Sequence, residues 1–309
     1  MNITNKTQVF VFVFSGLTDN GVLASFLFIL FLHVYMVTVV GNIGMMTIVY
    51  ITSNLHTPMY FFLSYLSLVD LLYSSVVTPK MLSDLISTKK AISFVGCALQ
   101  FFLFAGLAGT EVIILANMAY DRYVAICHPL HYICIMTKKK CSCLVVLSFT
   151  IGFLQSFMLT SCIFSLQYCD SHIIDHFYCD ILPLIKLSCS DTKVCAMITI
   201  LDIVSIAQGS FIVILISYTL IISSILRMKS AEGRQKAFST CSSHVMCSSI
   251  FYVSVFFTYL RSHSNVIENQ DKMAAVFYTV VTPMLNPLIY SLRNQEVKRG
   301  IIRLVHKQM

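Results

Sequence analysis

Four acids stand in long apolar stretches of this chain, and each needs a chemical explanation: Asp70, Glu111, Asp121 and Asp202. A carboxylate held away from water requires a proton, a cation or hydrogen-bond donors. Asp70 and Glu111, with Asn286 nearby, would make an oxygen-lined site for a small cation such as sodium. Alternatively, one of the two keeps its proton and the pair shares a hydrogen bond. Asp121 is followed by Arg122 and Tyr123, closing a run that carries one other charge, Glu111, after Lys90. Such a pair belongs at the water edge or turned into protein. Further along, Pro287 follows Asn286 and precedes Tyr290. The proline removes a backbone hydrogen bond, and the asparagine can satisfy the freed groups, so a loosened turn could swing Tyr290 between two packings; a static kink is the plainer alternative. Catalytic residues are not expected: His33 has no acid or nucleophile beside it, and no metal-ligand spacing falls inside an apolar segment.

The elements that must position these groups are membrane helices. The chain is 57% hydrophobic and 11% charged, against about 25% charged in soluble domains. Seven segments are long and apolar enough to cross a bilayer: 23–50, 57–80, 94–126, 141–161, 195–227, 236–260 and 272–291. The expected fold is an all-α, seven-transmembrane helix bundle forming one domain over 1–309, with 1–22 outside and 292–309 as a cytoplasmic tail. In that tail Val297, Ile301, Leu304 and Val305 share one helical face among Lys298, Arg299, Arg303 and Lys307, which predicts a short amphipathic helix on the inner leaflet. The first segment follows a polar stretch without a basic flank and reads as an uncleaved signal anchor.

Orientation follows from charge. Lys and Arg are in excess on the side of Arg122, Lys138–Lys140, Arg227–Lys236 and the tail, which is therefore cytoplasmic. The net charge of +7 thus reports topology, and no nucleic-acid partner is expected. Asn2 and Asn5 head the two glycosylation sequons, both in the first seven residues, in keeping with an extracellular N-terminus. Cys97, Cys169, Cys179 and Cys189 then fall outside, where disulfides are permitted and three pairings are open. Cys169, His172, His176 and Cys179 also have the ligand types of a tetrahedral zinc site. Cys162 and Cys195 sit at span boundaries and are unassigned. The long outer loop, about 162–194, reads as a lid over an outer cavity.

Several blocks in order resemble one family. They are Gly41-Asn42, LHTPMYFFLSYLSLVD (Leu55 to Asp70), MAYDRYVAICHPLHY (Met118 to Tyr132), KAFSTCSSH (Lys236 to His244) and PMLNPLIYSLRN (Pro283 to Asn294). Together they resemble the olfactory receptors among the rhodopsin-like G-protein-coupled receptors, over essentially the whole chain. The resemblance implies a receptor for small volatile odorants that activates a stimulatory heterotrimeric G protein, raises cyclic AMP and resides in the plasma membrane of sensory cilia. It implies the disulfides Cys97–Cys179 and Cys169–Cys189. It implies a coupling switch of Asp121, Arg122, Tyr123, Tyr218, His244, Asn286, Pro287 and Tyr290, and places Asp70 near Asn286.

It also implies a ligand pocket of Phe104, Ala105, Ala108, Gly109, Val112, Asp202, Ile206, Tyr252, Val255, Phe256, Tyr259 and Thr279. Phe104 stands where amine receptors of the wider superfamily carry an aspartate, which argues against a biogenic amine. The seventh segment offers no lysine for a retinal Schiff base, and no cofactor beyond the sodium ion is expected. A transporter or channel is the alternative class. It would need inverted repeats and a polar path across the membrane, and neither is visible in the sequence.

Overall fold

The computed structural model describes residues 11–169, 172–261, 268–293 and 297–300. Within these, the side chains of Lys236, Thr240, 257–261, 268–271, Leu292 and Arg293 lie outside the description. Seven long helices form the bundle. They are α1 (Gly21–Ile51), α2 (Pro58–Ile86), α3 (Phe94–Cys127), α4 (Lys138–Phe164), α5 (Lys193–Asp202 continued by Gly209–Arg227), α6 (Ala231–Arg261) and α7 (Glu268–Val276 continued by Thr282–Arg293). Helices α5 and α7 each contain a π-helical turn, at Ile203–Gln208 and Phe277–Val281. The chain is a multi-pass membrane protein: six helical segments of the described residues are long and apolar enough to span, and α6 completes the seven.

The helix starts are written locally. Asn20 accepts from the amides of Val22 and Leu23, Ser93 from Gly96, and Thr137 from Lys140, each satisfying an orphan donor of the first turn. Pro58 opens α2 at the position where a missing N–H costs nothing. Pro129, which cannot extend a helix, starts a short 3-10 turn directly after α3. The outward faces stay apolar, with Val22, Phe26, Ile29, Ile212, Ile216 and Leu226 exposed. In water this would be an aggregation surface; in lipid it is the required one.

Small residues bring α3 and α4 into tight contact. A Cβ on Gly152 would lie 2.7 Å from the Gly106 carbonyl and 2.8 Å from the Thr110 amide, so only glycine permits this approach. On the side expected from the charge distribution to be the outer one, a three-stranded sheet, unforeseen in the sequence, covers the bundle. Strand β1 (Val11–Phe14) runs antiparallel to β2 (Ala91–Ser93) and parallel to β3 (Ile173–Ile174). Its alternation is regular: Val11 and Val13 face out, while Phe12 and Phe14 are buried. The segment 1–22 is therefore structured in part. Asn2 and Asn5 lie outside the described residues, and so does the tail apart from 292–293 and 297–300, which are helical.

Candidate functional site

A cavity of about 130 Å³ lies in the outer half of the bundle. Helix α3 presents one continuous face to it: Phe101, Phe104, Ala105, Ala108, Gly109 and Val112 recur at helical spacing. Across from it α5 contributes Thr199, Asp202, Ile203, Ile206 and Ala207, partly through the π-helical turn. Such turns often mark functional sites, because the extra residue re-aims the side chains that follow. Gln155 and Leu159 of α4, Phe251 and Val255 of α6, Tyr73 and Tyr278 close the walls, and Asp180 and Ile181 roof it. An apolar cavity of roughly 150 Å³ is large enough to admit benzene.

Eight of the twelve residues expected at the pocket line this cavity: Phe104, Ala105, Ala108, Gly109, Val112, Asp202, Ile206 and Val255. Three others do not. Tyr252 and Phe256 belong to the adjacent stripe of α6 and pack against Phe211, 5.0 and 5.4 Å between ring centroids, forming an aromatic layer apart from the cavity lining. Thr279 is fully buried, with its hydroxyl donating to the Ala275 carbonyl at 2.7 Å. The π-helical turn puts Tyr278 on the cavity side in its place. The side chain of Tyr259 lies outside the described residues. The sequence reading overlooked the contributions of α2, α4 and the loop, because Gln155 and Leu159 look like ordinary packing residues in an apolar helix.

The roof is pinned at several points. Disulfides join Cys97 to Cys179, Cys169 to Cys189, and Cys162 to Cys195. Cys169 and Cys179 are thus oxidised and cannot act as zinc thiolates, which removes the metal reading of the Cys/His spacing. The third disulfide ties the outer end of α4 to that of α5, one turn from Leu159 and Thr199 of the cavity wall. The Cys179 amide donates to Gln100 Oε1 at 3.0 Å. The Tyr178 and Tyr278 hydroxyls meet at 2.5 Å, and Tyr178 also bonds the Asp180 carboxyl. Burial raises Asp180 to about 6, with the Ile181 amide and Tyr178 opposing the rise. Lys272 donates to Ser15 Oγ at 2.9 Å and to Asp175 at 2.5 Å, and Ser15 donates to the same Asp175 oxygen at 2.6 Å. These contacts tie the N-terminal segment, the loop and α7 together, and hold Asp175 below the usual carboxylate range.

Below the cavity is the polar layer of the midplane. The Asn286 side-chain amide donates to both oxygens of Asp70, at 3.2 and 3.0 Å. Glu111, fully buried, interacts electrostatically with Asp70, yet neither of its carboxyl oxygens has a hydrogen-bond partner. The unmatched oxygens suit a small cation bridging the two carboxylates or a proton shared between them. Among the described residues no cluster of three His, Cys, Asp or Glu side chains forms a metal site; the oxygen set here is two carboxylates and an amide. Nearby, the Asn42 side chain donates to the Pro283 carbonyl at 3.0 Å, joining α1 to the turn before Pro287. A Cβ on Gly41 would lie 3.1 Å from the Pro287 ring.

At the inner end of α3, Arg122 pairs with Asp121, whose other oxygen accepts from the Tyr132 hydroxyl at 2.8 Å. Asp121 is fully buried, so the pair is turned into protein. Tyr218 of α5 and His244 of α6 are hydrogen-bonded at 2.7 Å, and the second imidazole nitrogen meets the Leu115 carbonyl of α3 at 3.1 Å. Three helices therefore meet through one histidine. Tyr123 turns away and bonds His128 Nε2 at 3.0 Å, and Tyr290 is buried in the main core cluster of α7 with the other helices.

Comparison with known proteins agrees with this architecture. The profile of the olfactory receptor family matches residues 31–308. Olfactory receptor 5AP2 of Mus musculus is 52% identical over 308 residues, covering 98% of this chain and 95% of that receptor. Olfactory receptor 5AR1 of Mus musculus is 49% identical over 308 residues, covering 100% and 99% respectively. Olfactory receptor 5B12 of Homo sapiens is 49% identical over 303 residues, covering 98% and 96%. Matches of this identity run along nearly the whole length of the chain. The chain belongs to the olfactory receptor family, and it is a receptor rather than an enzyme.

Proposed function

We propose that this receptor binds small volatile organic molecules in the outer cavity and activates a stimulatory heterotrimeric G protein, raising cyclic AMP. The observation that carries the reading is the course of α3. One helix lines the cavity with Phe104 to Val112, passes the midplane at Glu111 and carries the Asp121–Arg122 pair in its last turns. A ligand that fits one arrangement of α3, α5 and α6 better than another shifts the population toward it, in proportion to its differential affinity. His244 is bonded to both α3 and α5, so movement of α6 must break those bonds and alter the surroundings of Arg122. The N-terminus is extracellular, with Asn2 and Asn5 glycosylated, and the receptor resides in the plasma membrane of sensory cilia. A sodium ion held by Asp70, Glu111 and Asn286 stabilises the resting arrangement.

The test is a cyclic AMP assay in cells expressing the full chain, challenged with a panel of odorants. A rise that disappears when the stimulatory G protein is deleted, and in Arg122→Ala at equal surface expression, supports the reading. A response that survives either change sinks it.

A further inference from the structure

The polar groups of the cavity are one-sided. The described lining includes Gln155, Asp180, Thr199 and Asp202, and no Lys, Arg or His joins them. Asp180 is already engaged by the Ile181 amide at 2.8 Å and by the Tyr178 hydroxyl. Thr199 donates back to the Cys195 carbonyl at 2.8 Å, and the Tyr278 hydroxyl meets Tyr178.

Asp202 is held differently. The Gln155 side-chain amide donates to it, while Gln155 Oε1 is buried without a partner. That oxygen stands 3.2 Å from the point where a Cβ on Gly109 would lie, a space that the glycine leaves open. The α3–α4–α5 side of the cavity therefore offers more acceptors than donors. Acceptors buried without donors are costly, so a ligand that brings donors gains most here.

We propose that the cavity takes a small protonated primary amine on a compact apolar body, its ammonium group between Asp202 and Gln155 Oε1. Its hydrocarbon packs against Phe104, Val112 and Val255. The proposal rests on reading this cavity as the odorant site and adds the ligand class. An ammonium supplies three donors and a positive charge, whereas an alcohol supplies one donor and no charge. Charge-assisted bonds are about twice as strong as neutral ones. A carboxylic acid meets a like charge and finds no cation. The volume of about 130 Å³ restricts the body to a single ring or its open-chain equivalent. Phe104 excludes an α3 counter-ion, and Asp202 supplies one from the opposite wall.

The experiment uses the purified full chain in detergent and measures its melting temperature with cyclohexylamine, cyclohexanol or cyclohexanecarboxylic acid. Cyclic AMP is read in parallel in cells. Cyclohexylamine is expected to stabilise at concentrations at least about tenfold below cyclohexanol, and the acid to have no effect. Asp202→Asn should lose about tenfold in amine potency while Asp202→Glu retains it. Equal potency of alcohol and amine in the wild type, or an undiminished amine effect in Asp202→Asn, overturns the proposal. Should Asp202→Asn fail to fold, the wild-type comparison decides alone. Amine stabilisation without a cyclic AMP rise keeps the ligand class and sinks the coupling reading. A cyclic AMP rise to neutral odorants with no amine binding does the reverse.

Discussion

Tyr178 of the outer loop and Tyr278 of α7 meet hydroxyl to hydroxyl at 2.5 Å, and this contact latches the roof to the bundle. The two rings are not equivalent. Tyr178 also bonds Asp180 and lies 4.8 Å from the Phe104 ring, whereas Tyr278 lies farther from Phe104, at 6.4 Å.

Removing each hydroxyl should therefore have unequal effects. Tyr278→Phe costs one neutral hydrogen bond, about 1 kcal/mol, because Tyr178 still bonds Asp180. Tyr178→Phe takes a partner from both Tyr278 and Asp180 and should cost about twice as much. Melting temperatures of the purified receptors measure this, and the opposite order would mean that the latch is not the Tyr178-centred chain described.

The α3–α4 contact gives a stability prediction with an internal control. Gly152→Ala places a methyl against the Gly106 carbonyl and the Thr110 amide, backbone atoms that yield only if the helices part. Overpacking of this kind costs about 1–3 kcal/mol, and surface expression and melting temperature should both fall. Gly44→Ala in α1 meets nothing within 4 Å and should be neutral or slightly stabilising, since alanine favours helix.

The bundle could be read from the chain because a bilayer demands about 20 apolar residues per crossing. The α3 face of the cavity could be read because its apolar and small residues recur at helical spacing. The other walls depend on facts that no single segment carries. Gln155 reaches the cavity because Gly109 and Gly152 let α4 approach α3, and Tyr278 displaces Thr279 because one turn of α7 is π-helical. Cys162 and Cys195 pair because two helix ends converge, 33 residues apart in sequence. Strand β1 falls in the segment 1–22, expected from the sequence only to lie outside the membrane, and it acquires its partners only from β2 and the loop.

Acid should weaken the outer cap, and His176 sets the sign. Its ring is buried between Phe177 and Tyr178, 4.7 and 4.5 Å between centroids. Burial, reinforced by the Lys272 cation and opposed by Asp175, depresses it from 6.5 to about 3. The unfolded chain takes up that proton first, so the contribution present at neutral pH is lost as pH falls below 6.5 toward about 3. Asp180 acts oppositely: raised from 3.8 to about 6, it favours the folded state as pH falls through that window. The histidine shift is the larger, and Asp175, being lowered, adds to the loss once pH drops below its unfolded value. The His176 contribution to the melting temperature should therefore be lost from about pH 7 to about pH 5. His176→Phe lacks that loss, so its melting temperature should fall less steeply, or rise more, than the wild type's over the same range. An unchanged slope would place the titrating group elsewhere.

Sodium is the sharpest question at the midplane, because donors and acceptors there do not balance. Asn286 spends its side-chain amide on Asp70, and both Glu111 oxygens are left without partners in a fully buried site. A bridging cation satisfies both carboxylates; a shared proton satisfies them without metal. The two arrangements separate by ion specificity. If sodium stands at about ten times its Kd, binding to the folded state alone contributes about 1.4 kcal/mol. The purified receptor should then melt higher in sodium chloride than in choline chloride at equal ionic strength. Both Asp70→Asn and Glu111→Gln should erase that difference, and basal cyclic AMP should lose its dependence on sodium in each variant. Equal melting in the two salts would assign the pair to a shared proton, with Glu111 the partner that Asn286 does not reach.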